Sequence, residues 1–242
     1  MRITAISDTH GYLPKIEKTD LLLIAGDWSP LEIQTDAYFM KQWINDCLLP
    51  WFKETPADKI IFIAGNHDFI CDDRFLEIPL ANAPIVTFEK DILKPLLKKN
   101  KLTNKVTYLC NSSTKYNGLK IYGCPNVEGC RGWAFANTYV EEIYSKIPKC
   151  DILITHQPPL FNNIAQVRNY KNNIIDFGSY SLLCAVKNSK PKLHFCGHIH
   201  EGNHEPQQLI HSENDVTTII NVSIKNEEYD PFYKQTVINI QV

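Results

Sequence analysis

The stretch Lys59-Ile60-Ile61-Phe62-Ile63-Ala64-Gly65-Asn66-His67-Asp68 decides how this chain is read. Ile60 to Ala64 are apolar without a break, so a strand there has no face suited to water. Strands of that kind belong to sheets covered on both sides. The run stops at a glycine, and an amide, an imidazole and a carboxylate follow at once. The same ending recurs outward along the chain. Asp20–Ala25 leads into Gly26-Asp27, Asp151–Ile154 into Thr155-His156, and Lys192–Cys196 into Gly197-His198-Ile199-His200. The opening run Arg2–Ser7 leads into Asp8-Thr9-His10. One such ending means little, because His and Asp are common in loops. Five in order place oxygen and imidazole donors at strand ends, where α/β sheets bind ligands.

Helical patterns fall between these strands. Met40, Trp43, Ile44, Cys47, Leu48, Trp51 and Phe52 alternate three and four apart, a helix stripe that ends near Pro56. Tyr139, Val140, Ile143, Tyr144 and Ile147 form a second stripe, stopped by Pro148. Tyr180–Val186 is a third, ending before Pro191. Lys105–Cys110 and Leu119–Tyr122, with Asn117-Gly118 between strand-like flanks, predict a hairpin. Further strands are expected at Gln208–His211, Val216–Val222 and Gln235–Gln241. The mixture predicts two packed sheets with flanking helices, an α/β sandwich, in a single domain over residues 1–242. The polar stretch from His156 to Gly178 lacks periodicity and is a candidate wall of the site.

Composition narrows the function. The chain has 242 residues and a formal net charge of −2, so no basic field would attract a nucleic-acid polymer. Its only arginines are Arg2, Arg74, Arg131 and Arg168, which leaves few bidentate phosphate clamps. No apolar run approaches the roughly 18 residues of a membrane span. The opening residues lack a signal-peptide core, and the eight cysteines contain no Cys-x-x-Cys pair. Free thiols, core positions for Cys47, Cys184 and Cys196, and a cytoplasmic location are expected. Cys124 and Cys130 lie close together in a Gly-rich loop.

The donors are all oxygen or nitrogen, a set suited to Mn, Fe, Zn, Co or Ni. Asp8 and His10, like His198 and His200, stand at i, i+2 and would project to one side of an extended segment. A bound metal can lower the pKa of water to about 7, and two ions about 3.5–4 Å apart can share a hydroxide that attacks a phosphoester. Such a pair needs a bridging carboxylate.

These five motifs together resemble the signature of the calcineurin-like metallophosphoesterase superfamily. Ile154-Thr155-His156-Gln157-Pro158-Pro159, Ile121–Pro125 with Gly132-Trp133-Ala134-Phe135, and Gly197–Gly202 are similar to its small metallophosphoesterase-domain branch, akin to class III cyclic-nucleotide phosphodiesterases. The resemblance implies a double-sheet sandwich and two divalent transition-metal ions, with manganese favoured. Asp8, His10, Asp27 and His200 would hold the first ion. Asp27, Asn66, His156 and His198 would hold the second, with Asp27 bridging. His67 would act on the substrate phosphate and Asp68 would orient it. Arg131, Arg168 and His204 are candidate substrate contacts; His194 is expected in the core and His211 at the surface. The implied activity is hydrolysis of a small or nucleotide-like phosphodiester. A phosphomonoesterase or pyrophosphate-bond hydrolase is the alternative within the reaction class, and an interaction scaffold with a vestigial metal site is the alternative outside it.

Overall fold

The computed structural model describes residues 1–76 and 92–241. In chain order the strands begin with β1 (Arg2–Ile6), β2 (Thr19–Ala25), β3 (Ala57–Ile63), β4 (Val106–Tyr108), β5 (Ser112–Tyr116) and β6 (Leu119–Cys124). They continue with β7 (Val127–Glu128), β8 (Ala136–Asn137), β9 (Ile152–Thr155), β10 (Gln166–Arg168) and β11 (Ile174–Asp176). The last are β12 (Leu193–Cys196), β13 (Gln207–Ser212), β14 (Asp215–Asn221) and β15 (Thr236–Asn239). One large sheet has the order β15-β1-β2-β3-β4 and the other β13-β14-β12-β9-β6-β5. Within them β1–β2–β3–β4 and β14–β12–β9–β6 run parallel, with antiparallel strands at the edges.

Period-2 alternation sorts the apolar residues of each strand into two cores. Leu21, Leu23, Ala25, Ile61 and Ile63 face the other sheet and meet Ile121, Ile152, Ile154, Phe195 and Ile220. Leu22, Ile24, Ile60 and Phe62 face outward, against Met40, Ile44, Leu48 and Phe52. On the far side Leu153 and Cys196 meet Val140 and Tyr144 of one helix and Leu182 and Val186 of another. The result is helix, sheet, sheet, helix, and the fold is the two-sheet sandwich expected from the doubly apolar strands. No described helix is long and apolar enough to cross a membrane.

Three local expectations are corrected. The hairpin around Asn117-Gly118 pairs β6 with Ser112–Tyr116, because left-handed Asn117 and Gly118 make a two-residue turn and Tyr116 must face Leu119. Val106–Tyr108 instead joins β3 in the first sheet. The Met40–Phe52 stripe contains a π-helical turn at Ile44–Leu48, which adds a residue to the repeat and leaves Cys47 exposed. The stretch from His156 to Gly178 carries the hairpin β10–β11, whose three-residue strands are too short to show periodicity. No disulfide joins the cysteines of the described residues.

Candidate metal centre

Every expected ligand lies just past the carboxyl end of a parallel strand, and backbone bonds carry the pairing beyond the strands. Asp8 N donates to Gly26 O and His10 N to Asp27 O, each at 3.0 Å, which joins the ends of β1 and β2. Gly197 N donates to His156 O at 2.9 Å, joining β12 to β9. The two sheets meet here as well: Ser7 N donates to Val222 O, and His198 N donates to the Asp8 carboxylate at 3.0–3.1 Å. The segments are not extended, contrary to the i, i+2 expectation. Asp8, His10, Asp27 and His198 have φ of 55°, 42°, 53° and 72°. Left-handed backbone of this kind is costly for residues with a side chain and clusters at functional sites. Here it turns the side chains out of the strand alternation and into one crevice.

Two glycines make room for that crevice. Gly26 has a φ of +98°, and a Cβ there would sit 2.6 Å from His156 Nδ1. A Cβ on Gly65 would collide with Asp27 Oδ1 and the His156 ring.

The donors form three overlapping groups, one of which joins Asp27 to His10 and His67. Asp8, His10 and His200 bring ligand atoms within 4.8 Å of one another, and so do Asp27, His156 and His198. His156 donates its Nδ1–H to Ala25 O at 2.8 Å, so in the neutral ring its Nε2 presents a lone pair. That lone pair lies 3.2 Å from Asp27 Oδ2 and 3.0 Å from Asn66 Oδ1. His200 likewise donates Nδ1–H to Asn226 O at 2.8 Å, and its Nε2 is 3.4 Å from both Asp8 Oδ1 and His10 Nε2. Acceptors converging in this way repel one another unless a cation lies among them. The residues therefore fit divalent metal ions, and a carbonyl behind each of these two imidazoles sets the ligating tautomer.

Electrostatics point the same way. Burial pushes the Asp8 and Asp27 carboxyls up, but the neighbouring histidines, His200 for Asp8 and His156 for Asp27, hold both well below the usual carboxylate range. Burial opposes the charged form of His156, yet Asp27 and Asp8 raise it to about 9. Without an ion, a proton on His156 supplies the positive charge the carboxylates demand. His10 and His198 are pushed down to about 4, chiefly by burial, and so stay neutral and able to ligate.

Asp68 and His67 are adjacent in sequence but work apart. The Asp68 carboxylate accepts from Asp27 N, Trp28 N, Ser29 N, Gly65 N and Ser29 Oγ at 2.6–3.1 Å. Five donors surround it, so it clamps the Asp27 turn to the β3 turn. His67 Nδ1 instead donates to Gln34 Oε1 at 2.6 Å, and His67 Nε2 lies 3.9 Å from Asp27 Oδ2. The orienting partner expected in Asp68 is thus Gln34, which no motif marks.

The candidate substrate contacts fare differently. Arg131 is exposed in the loop beyond Cys130, whose sulfur is 3.7 Å from His198 Nε2. Arg168 is exposed and donates within its own hairpin, to Asn172 Oδ1. His204 stacks on Tyr233 with centroids 3.6 Å apart and donates from Nε2 to His200 O, so it braces a candidate ligand from behind. His194 is buried as expected, with Nε2 2.8 Å from Thr155 Oγ1. Tyr229, which sequence reasoning missed, stands edge-on to His10 and His200. Its only signal is the turn-forming Asp230-Pro231 that follows.

Comparison with known proteins identifies relatives in sequence and in fold. Metallophosphoesterase domain-containing protein 1 of Homo sapiens is 29% identical over 248 residues, covering 99% of this chain and 71% of that protein. UPF0046 protein C25E10.12 of Caenorhabditis elegans is 28% identical over 251 residues, covering 99% and 81%. Among solved structures, the phosphopantetheinyl hydrolase PptH of Mycobacterium tuberculosis shares the fold, with a TM-score of 0.50, 12% identity and coverage of 94% and 90%. The family model of calcineurin-like phosphoesterases matches residues 1–202, a span that contains every donor described above, and the chain belongs to that family.

Proposed function

We propose that this protein is a dinuclear-metal-dependent phosphodiesterase acting on a small, nucleotide-like diester. The observation that supports this reading is the run of overlapping donor groups through His10 and Asp27, from Asp8 and His200 at one end to His156 and His198 at the other, with His67 Nε2 3.9 Å from Asp27 Oδ2. Asp8, His10, Asp27 and His200 would hold one ion and Asp27, Asn66, His156 and His198 the other. The ions, when bound, supply activated water and polarise the phosphoryl group. The chain supplies the rest. Asp27 sets the spacing of the two donor groups, and the Asp68 clamp fixes the Asp27 backbone. His67, held from behind by Gln34 at Nδ1–H, would need a second proton, on Nε2, to stabilise charge on the phosphate and to pass that proton to the leaving oxygen.

Charge favours a diester. A monoester dianion gains from several fixed cations, and the arginines provide few. Arg74 is committed to Asp72 and to Ala136 O, while Arg131 and Arg168 are exposed. The deciding experiment assays bis(p-nitrophenyl) phosphate and p-nitrophenyl phosphate after loading with Mn, Fe, Zn, Co or Ni. Higher kcat/KM on the diester is expected. Equal or better efficiency on the monoester would reverse the preference, and no hydrolysis of either ester or of a dinucleotide pyrophosphate at full metal occupancy would favour the scaffold.

A further inference from the structure

Cys130 Sγ lies 3.7 Å from His198 Nε2, in the loop between β7 and β8. A zinc–sulfur bond is about 2.3 Å and a zinc–imidazole bond about 2.0–2.1 Å, so two such ligands on one tetrahedral ion stand roughly 3.5 Å apart. The observed separation is close to that. His156 Nε2 and Asp27 Oδ2, at 3.2 Å, show the corresponding spacing for a nitrogen and an oxygen ligand.

The loop is tied at both ends to candidate ligands of one ion. At its start Glu128 N donates at 2.7 Å to Oε1 of Gln157, the residue after His156. At its end Ala134 N donates at 3.2 Å to Asn66 O. Trp133 N returns to Cys130 O at 3.1 Å, and the Trp133 ring centroid lies 4.5 Å from that of His67. Cys130 stands between Gly129 and Gly132, whose φ are +81° and +88°, with open space around both. Its sulfur is not within 4.8 Å of every donor atom in the Asp27, His156 and His198 group, so joining their ion takes a rotamer change of the thiol. The reaction as derived above does not use Cys130.

We propose that the Cys130 thiolate is a further ligand to the ion held by Asp27, Asn66, His156 and His198, and that it turns this half of the centre toward zinc or cobalt. The metal–sulfur bond forms as the S–H bond breaks, the proton leaves to solvent, and nothing is oxidised or reduced. A thiolate is a softer donor than oxygen or imidazole and favours zinc over manganese. The five strand-end motifs supply only oxygen and nitrogen donors, so this ligand comes from a loop outside them. The inference rests on the dinuclear reading only for an ion at His156 and His198.

The test is a titration of the metal-free protein with cobalt(II), followed by absorption. Visible d–d bands report cobalt in the site, and a sulfur-to-cobalt charge-transfer band in the near ultraviolet reports a bound thiolate. Both are expected for the wild-type protein. Cys130→Ser, with Cys130→Ala as a second variant, should keep the visible bands and lose the charge-transfer band. Cys47→Ser and Cys110→Ser, at exposed cysteines, should keep both. In metal competition, zinc should bind one site roughly tenfold or more weakly in Cys130→Ser, while manganese affinity changes little. Visible bands without a charge-transfer band in the wild-type protein would overturn the inference and leave the metal centre standing. A charge-transfer band that survives both Cys130 variants would put cobalt on another cysteine and overturn it too. No cobalt bound at all would sink the dinuclear reading, and the inference with it.

Discussion

His67 Nδ1 and Gln34 Oε1 are 2.6 Å apart, so a neutral amide, not a carboxylate, holds the imidazole that faces the candidate metal centre. An amide oxygen fixes ring orientation and tautomer as a carboxylate would, without adding a full charge beside the buried Asp27. Gln34→Ala should lower turnover about 10-fold or more on diesters with alkoxide leaving groups, and much less on nitrophenyl esters, which leave without a proton. In a His67→Ala background the same change should have little further effect. Losses that multiply independently in the double variant would show that Gln34 acts elsewhere.

His67→Ala itself should leave two metal equivalents bound while turnover falls by roughly 10²–10⁴-fold. Metal analysis beside kinetics checks this. Metal loss in step with activity would place His67, which lies within ligand distance of His10 and Asp27, among the ligands.

Asp27→Asn should leave the fold largely intact but reduce bound manganese below two equivalents and remove most activity. An amide cannot offer two anionic oxygens to two cations. Near wild-type turnover at saturating metal would show that another group bridges.

Asp68→Asn should be the more damaging change to stability. It would bring an amide NH₂ up to the Asp27, Trp28, Ser29 and Gly65 donors and leave some of them unpaired, at about 1–3 kcal/mol for each buried group affected. Urea unfolding of the chelated protein measures this. A loss of turnover without loss of stability would return Asp68 to the role of orienting His67.

His194 sets an acid limit. Burial pushes it down to about 3 from 6.5, so it is neutral in the folded protein. Below pH 6.5 only the unfolded chain takes up this proton. Stability is therefore full above pH 6.5 and falls toward pH 3, by about 1.4 kcal/mol per pH unit from this group. In the metal-free protein His194→Gln should flatten that dependence, and an unchanged slope would assign it to other groups.

The sequence by itself determined the central parallel strands, their burial and the candidate donor set. Ile60–Ala64 and its counterparts are apolar on both faces, which forces a covered sheet, and each is followed at once by a residue able to ligate. Those signals are local, a few residues long, and strong. Only the tertiary structure decided which side chains touch. Gln34, Trp133 and Tyr229 lie in irregular segments and reach His67 from distant parts of the chain, so no periodicity marks them. The left-handed turns at Asp8, His10 and His198 replaced the extended geometry assumed from i, i+2 spacing. Asp68, beside His67 in sequence, turned away because five buried donors at the ends of two strands needed one acceptor. Adjacency in a chain places residues near a site, but satisfying buried polar groups across strands sets which way each one points.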